Sequence, residues 1–168
     1  RVLLSHAVLF FFCMIRLDYF TPADFDQLIS WIDSPRLLMN WSGPMFNFPL
    51  TPDKLTWYLD GANNLADPDV FIFKAVDEVT GATVGHISLG SLSHKNRSAR
   101  ISRVLVDPTI RSRGIGQAML TEVLRFGFEQ LGLHRIDLGV YDFNEAALRC
   151  YTRAGLQREG LSRDILRY

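Results

Sequence analysis

A chain of 168 residues and 19.1 kDa has room for one well-buried core, and halving it would leave two pieces near the size at which folding becomes marginal. Hydrophobic residues make up 48% and charged residues 21%, which excludes disordered and collagen-like chains. Lys plus Arg equals Asp plus Glu at 18 each, so no global field would drive the chain onto nucleic acid or an anionic membrane.

The neutrality hides two opposed halves. Residues 1–90 hold five cations against ten acids, and residues 91–168 hold thirteen against eight. Fifteen of the 18 cations are Arg, whose planar fork suits phosphate, so an anion held by the C-terminal half is expected. Two cysteines, Cys13 and Cys150, lack metal-ligand spacing and are too few for a disulfide framework, which predicts a reducing, cytoplasmic setting. Cys150 reads as a small buried hydrophobe rather than a nucleophile.

Residues 1–13 are almost wholly apolar but short for a bilayer span and without a cleavage pattern. Met14 directly precedes Ile-Arg-Leu-Asp-Tyr-Phe, which reads as the opening strand of a domain. Residues 1–13 are therefore expected to be a non-native extension and 14–168 the single domain. The competing reading is an authentic extra strand or helix on an apolar patch.

Thr21-Pro22 starts a helix in which Phe25, Leu28, Ile29 and Ile32 recur with helical period. Residues 41–49 read as loop, and Thr51-Pro52 starts a second helix with Leu55, Tyr58 and Leu59, stopped by Gly61. Val70–Val76 and Ala82–Leu89 are predicted strands around the hairpin loop Asp77–Gly81. Ser91–Ser98 reads as loop, and Ile101–Val106 as a strand ended by Asp107-Pro108. A helix follows with Leu120, Val123, Leu124, Phe128 and Leu131 on one face, closed by Gly132. Ile136, Leu138 and Val140 alternate as a strand, Asn144 caps a helix to about Ala154, and Leu156–Ser162 reads as extended.

The chemistry concentrates where a strand, an arginine-rich glycine loop and a helix follow one another. In Arg111-Ser-Arg-Gly114-Ile-Gly116, backbone N–H groups and the positive helix end converge where a diphosphate would sit. Glycine at 114 and 116 permits positive φ and removes the Cβ atoms that would hold a phosphate away. The loop is neither a P-loop, for want of Gly-Lys-Ser/Thr, nor a dinucleotide fingerprint, for want of its third glycine. A plain tight turn would explain the glycines but not the two flanking arginines. Further on, Asn144 and Tyr151 stand two turns apart on one helix face beside Ala147 and Leu148. The phenol there has a proton to donate and the amide can bond a ligand carbonyl, but taken alone the pair reads better as a capping Asn and a core Tyr.

Together these motifs resemble the GNAT superfamily of acyl-CoA N-acyltransferases. The match runs from Val104-Leu-Val-Asp-Pro108 through Arg111–Gly116 and Leu133-His-Arg-Ile-Asp-Leu138 to Asn144–Gly160. The last stretch is similar to the branch that acetylates the N-termini of proteins, such as ribosomal proteins, and many small amines. The resemblance implies a single-domain α/β (α+β) fold, with a mixed, mostly antiparallel central sheet splayed at the cofactor site and flanked by helices. It implies acetyl-CoA as acyl donor and no metal. By position, Leu105 and Val106 would contact pantetheine, and Arg111, Ser112, Arg113, Gly114, Ile115, Gly116 and Gln117 would cradle the diphosphate. Asn144 would bond the arm, and Tyr151 would protonate the departing thiolate, these two being the catalytic candidates.

Two departures stand out. Many relatives carry a Glu base on the cofactor-binding strand, but the aligned position is Arg100, leaving a water chain, His86 or a neutral incoming amine. Members also carry a further strand after the region matching Leu156–Arg163, which is expected to be lacking. The expected partner is a small amine or peptide N-terminus, with no nucleic acid and no membrane, the chain acting alone or as a homodimer. Asp24, Asp26, Asp33, Asp53 and Asp60, with the aromatics around Trp41 and Tyr58, would attract a cationic acceptor. A CoA-binding regulatory module without turnover is the alternative. RNA binding through Arg97, Arg100, Arg103, Arg111 and Arg113 is disfavoured because no stacking aromatic is interleaved among them.

Overall fold

The computed structural model describes residues 14–111 and 113–162. The expectation for residues 1–13 lies outside the described residues.

Five strands form one sheet in chain order, β1 (Ile15–Tyr19), β2 (Phe71–Asp77), β3 (Thr83–Ser93), β4 (Ser98–Val106) and β5 (Arg135–Leu138). The first three pairings are antiparallel and β4–β5 is parallel, giving the predicted mixed, mostly antiparallel sheet. Helices α1 (Phe25–Trp31), α2 (Pro35–Ser42) and α3 (Pro52–Leu59) precede β2; α4 (Ile115–Arg125) lies between β4 and β5, and α5 (Glu145–Arg153) follows β5. α4 runs on into one wider turn, Phe126–Gln130, closed by Leu131 N–H on the Phe126 carbonyl.

The strands are buried on both faces, as the run of closed positions from Val84 to Gly90 records. One face packs Ile87, Leu89 and Ile101 against Met119, Leu120 and Val123 of α4. The other packs Ile72 and Leu105 against Leu28, Leu38, Trp41, Leu55 and Tyr58 of α1–α3. α2, α3 and the short 3-10 turn Pro22–Asp24 that leads into α1 each begin on an Xaa-Pro pair, a geometry in which proline at the first turn forfeits no hydrogen bond. Before α1 the Asp24 carboxylate accepts from the Thr21 N–H and hydroxyl at 2.8 and 3.0 Å.

Several boundaries differ from the sequence reading. Residues 35–42 are helical, because Ser34 caps the segment through the Leu37 N–H at 3.3 Å and Leu38 and Trp41 face the core. β3 runs on to Ser93 and β4 starts at Ser98, since pairing with a neighbour recruits polar residues that show no hydrophobic alternation. β5 stops at Leu138, and no strand forms between Leu156 and Ser162 among the described residues.

Candidate active site

β4 creates the site by losing one neighbour and bulging against the other. Its parallel ladder to β5 runs from Ser98–Arg135 to Ile101–Leu138 and ends there. Ser102–Val106 continue paired with β3 alone, so one edge of this stretch has no strand partner, and an extended arm could add there as a strand. Against β3 the register passes from Ser88–Ser102 to His86–Leu105, so Arg103 and Val104 together oppose Ile87. Arg103 takes a left-handed φ of +54°, the conformation that a bulge of this kind imposes. The inserted residue reverses the alternation: Ile101 faces α4, whereas Leu105 faces the aromatic layer of α1–α3.

The N-terminus of α4 lies beside this edge, packed against β4 and the second half of α5. Gly114 caps α4 with φ +77°, and a Cβ built on it would meet nothing within 4 Å, which leaves the space before the helix open. Gly116 sits where a Cβ would approach Cys150 Sγ at 3.2 Å and Val106 Cγ2 at 3.6 Å, so its absent side chain lets β4, α4 and α5 meet. Gln117 Nε2 donates to the Arg153 carbonyl at 3.4 Å. Arg111 and Arg113 are exposed beside the loop, and Ser112 lies outside the described residues. Ile115 and Leu105 are core side chains, so contact with a ligand there falls to their backbone groups. Asn144 caps α5, its Oδ1 accepting from the Ala147 N–H at 3.2 Å. Tyr151 packs partly buried against the α4 face, and burial pushes its phenol up to about 12. Burial likewise raises the Cys150 thiol, which keeps it protonated beside Gly116. Apart from Ser112, the predicted residues thus lie on the second half of β4, the loop and first turn of α4, and α5 with its cap.

Arg100 does not offer a base. Its guanidinium donates to Asp137 at 2.7 Å, across the end of the β4–β5 ladder, and passes over Gly139 where a Cβ would clash with Nη2 at 2.6 Å. His86 is fully enclosed by Phe20, Trp41 and Tyr58, with Nε2 3.2 Å from the Tyr58 hydroxyl. Burial, aided by the Arg103 cation, pulls it down to about 3, so it is neutral and a feeble base. This depression has a sign for stability. The unfolded chain takes up a proton near pH 6.5 that the native His86 refuses, so stability is complete above 6.5 and declines as pH falls toward 3, by about 1.4 kcal/mol per unit. Urea unfolding between pH 7 and pH 4 should show a shallower acid decline in His86→Gln than in the unaltered chain.

The aspartates expected to steer a cation are dispersed. Asp26 and Asp53 are exposed on helices and Asp33 and Asp60 are exposed in the turns after α1 and α3, while Asp24 is held at 2.8 Å by Lys74. Sequence reasoning missed the group that does face the aromatics. Arg103 places its guanidinium carbon 5.2 Å from the Tyr58 ring centroid, and its carbonyl accepts from Trp41 Nε1 at 3.0 Å. A separate groove of about 1040 Å³ runs between β1 and α4 over Phe73 and Phe126, touching the start of α4 at Arg113, Gly114 and Gln117. No helix among the described residues is long and apolar enough to cross a membrane.

Comparison with known proteins agrees with this architecture. The chain is 32% identical over 87 residues to the uncharacterized N-acetyltransferase YoaA of Bacillus subtilis, covering 52% of this chain and 49% of that protein. It is 31% identical over 100 residues to a prophage-derived uncharacterized N-acetyltransferase, YokL, of the same organism, covering 60% and 55%. The chain thus spans about half the length of the curated relatives it matches. Its fold is similar to a spermidine N-acetyltransferase from Vibrio cholerae solved with CoA and spermine, at TM-score 0.73 and 20% identity over 87% of this chain and 82% of that one. A structure described as a putative ribosomal-protein-serine acetyltransferase from Vibrio cholerae aligns at TM-score 0.70 and 18% identity, over 92% and 86%. The profile of the Acetyltransferase (GNAT) family matches residues 30–156, and the chain belongs to that family.

Proposed function

We propose that this protein is an acetyl-CoA-dependent N-acetyltransferase that moves an acetyl group onto a primary amine of a small molecule or peptide N-terminus. The observation that carries the reading is the half-paired strand: Ser102–Val106 leave the β5 ladder beside the open, left-handed turn at Gly114. A pantetheine arm fits the unpaired edge of β4, with Leu105 and Val106 bonding through their backbones. A diphosphate fits the α4 N-terminus, where N–H groups from Gly114 to Gln117 and the side chains of Arg111 and Arg113 converge. Acetyl-CoA supplies the thioester. The neutral amine attacks it directly, with no acyl-enzyme. As the C–N bond forms and the C–S bond breaks, the Tyr151 phenol donates a proton to the leaving sulfur, the amine gives its proton to solvent, which reprotonates the phenolate, and Asn144 fixes the start of α5 beside the arm. Cys150 takes no part, its thiol being held protonated.

The alternative, a CoA-binding module without turnover, draws on Arg100 standing where a base would be. A thiol-release screen of amines and N-terminal peptides with acetyl-CoA separates the two. Transfer predicts amine-dependent release well above hydrolysis, whereas tight acetyl-CoA binding with no release on any amine would favour the regulatory module.

A further inference from the structure

β1 leaves one edge of the sheet open. It pairs with β2, and among the described residues no strand lies on its other side. Its even-numbered residues serve the ladder to β2: Glu78 N–H donates to the Met14 carbonyl and Phe20 N–H to the Ile72 carbonyl, each at 2.9 Å, and an antiparallel ladder bonds alternate residues. Ile15, Leu17 and Tyr19 therefore direct their backbone groups outward. Such an edge is ordinarily blunted by proline, a bulge or a run of lysines, whereas β1 has neither proline nor bulge and its two charges are opposite. Beside it runs the groove of about 1040 Å³, with Leu17, Tyr19, Phe73 and Phe126 among its walls. Ile15 and Leu17 pack on the α4 face of the sheet, and the exposed Tyr19 stacks on Phe73 at 5.7 Å. Arg16 and Asp18 alternate to the opposite face, where the guanidinium forks onto the carboxylate at 2.8 and 3.0 Å in contact with solvent.

We infer that this edge is a self-association surface, occupied by β1 of a second copy running antiparallel about a two-fold axis at Leu17. In that register Leu17 stands opposite the partner's Leu17, Ile15 opposite the partner's Tyr19 and Arg16 opposite the partner's Asp18. Two separate features fit it. The outward-bonding residues oppose one another, so the free donors and acceptors of both copies close reciprocally, as an isologous contact requires. Arg16 and Asp18 then form the close, non-hydrogen-bonded pairs, in which each cation meets the partner's carboxylate. Asp18 already stands opposite Lys74, so signs alternate across the joined sheets from Lys74 through Asp18 to the partner's Arg16. Sliding one strand by two residues, the smallest step that keeps the faces, would set Arg16 on the partner's Arg16 or Asp18 on the partner's Asp18, and the charges thereby fix the register. On the α4 face the partner's Leu17 and Tyr19 extend the apolar layer into the groove. A five-residue strand alone covers less than the roughly 800 Å² per partner of a standard interface, so the groove contributes and the dimer is a reversible one.

The test is sedimentation of the full chain from about 1 to about 100 μM. The unaltered protein should pass from monomer to dimer. Arg16→Asp and Asp18→Arg each set two like-charged pairs across the axis and should weaken dimerisation by roughly 10-fold or more. An equimolar mixture of the two variants should associate about as well as the unaltered protein, because every acid of one then faces a cation of the other. Positions 16 and 18 within each chain still repel in that mixture, so the recovery belongs to pairing between chains. Should a variant fail to fold, hydrogen exchange of the unaltered protein locates the interface. The Leu17 and Tyr19 amides should exchange slowly at high concentration and fast at low, with Arg16 and Asp18 slow at both. A monomer at every concentration, a dimer indifferent to both reversals, a mixture that stays monomeric or a dimer with a freely exchanging Leu17 amide overturns the inference. A Leu17 amide that is slow at every concentration would give the edge to another segment of the chain and overturns it as well. None of these readouts depends on acetyl transfer.

Discussion

Gly114→Val should abolish measurable acetyl-CoA binding while leaving a folded protein. The native φ of +77° is in the left-handed region, where a β-branched residue costs about 1–2 kcal/mol. That loss is small enough for the core of Met119, Leu120 and Val123 to survive it. The damage is local. A Cβ at this position meets nothing within 4 Å, so the new isopropyl group projects into the space proposed for the diphosphate and blocks the approach of the helix N–H groups. Gly132 supplies the matched control. It too has positive φ, +63°, and open surroundings, but it closes the far end of the α4 segment. Gly132→Val should carry a similar strain and bind acetyl-CoA normally. Calorimetry on both variants reads the outcome, and equal affinities in the two would remove the loop from the cofactor site.

Tyr151→Phe should lower kcat by roughly 10²-fold with little change in KM for acetyl-CoA. The ring stays packed against the α4 face, so the substitution removes a proton and little else. Because burial raises the phenol to about 12, the group remains protonated across the working range, and kcat should show no loss assignable to its ionisation below about pH 11. A Phe variant with unaltered kcat would leave Tyr151 as a packing residue.

Much of this site was legible in the sequence because its parts are local. A positive-φ glycine, the helix it opens and a capping Asn occupy short stretches whose chemistry is carried by residue type, and Gly114, Ile115 and Asn144 stand where their types placed them. What escaped was non-local. The bulge at Arg103 is a mismatch of register between two strands, and nothing in Ala99-Arg-Ile-Ser-Arg103 announces that the alternation will reverse. Arg103 therefore passed as one surface arginine among several, although its neighbours Trp41, Met45 and Tyr58 arrive from α2, α3 and the turn between them. Helix α2 carried a usable signal, since Ser34-Pro35 repeats the opening of its two neighbours and Leu38 and Trp41 are spaced for one face. Family resemblance implied that β4 and β5 splay apart, but the end of their ladder at Leu138 was not legible, because Val140 continues the apolar alternation that the backbone abandons.

The most direct test of the central claim is an accounting of acetyl groups on the best amine found. The protein is incubated with acetyl-CoA and that amine, free thiol is titrated, and the amine and the protein are both weighed by mass spectrometry. Direct transfer predicts one N-acetylated amine for each thiol released, dependence on both substrates and an unacetylated protein. Thiol release without an acetylated amine, or an acetyl group found on Cys150 as an intermediate, would contradict it.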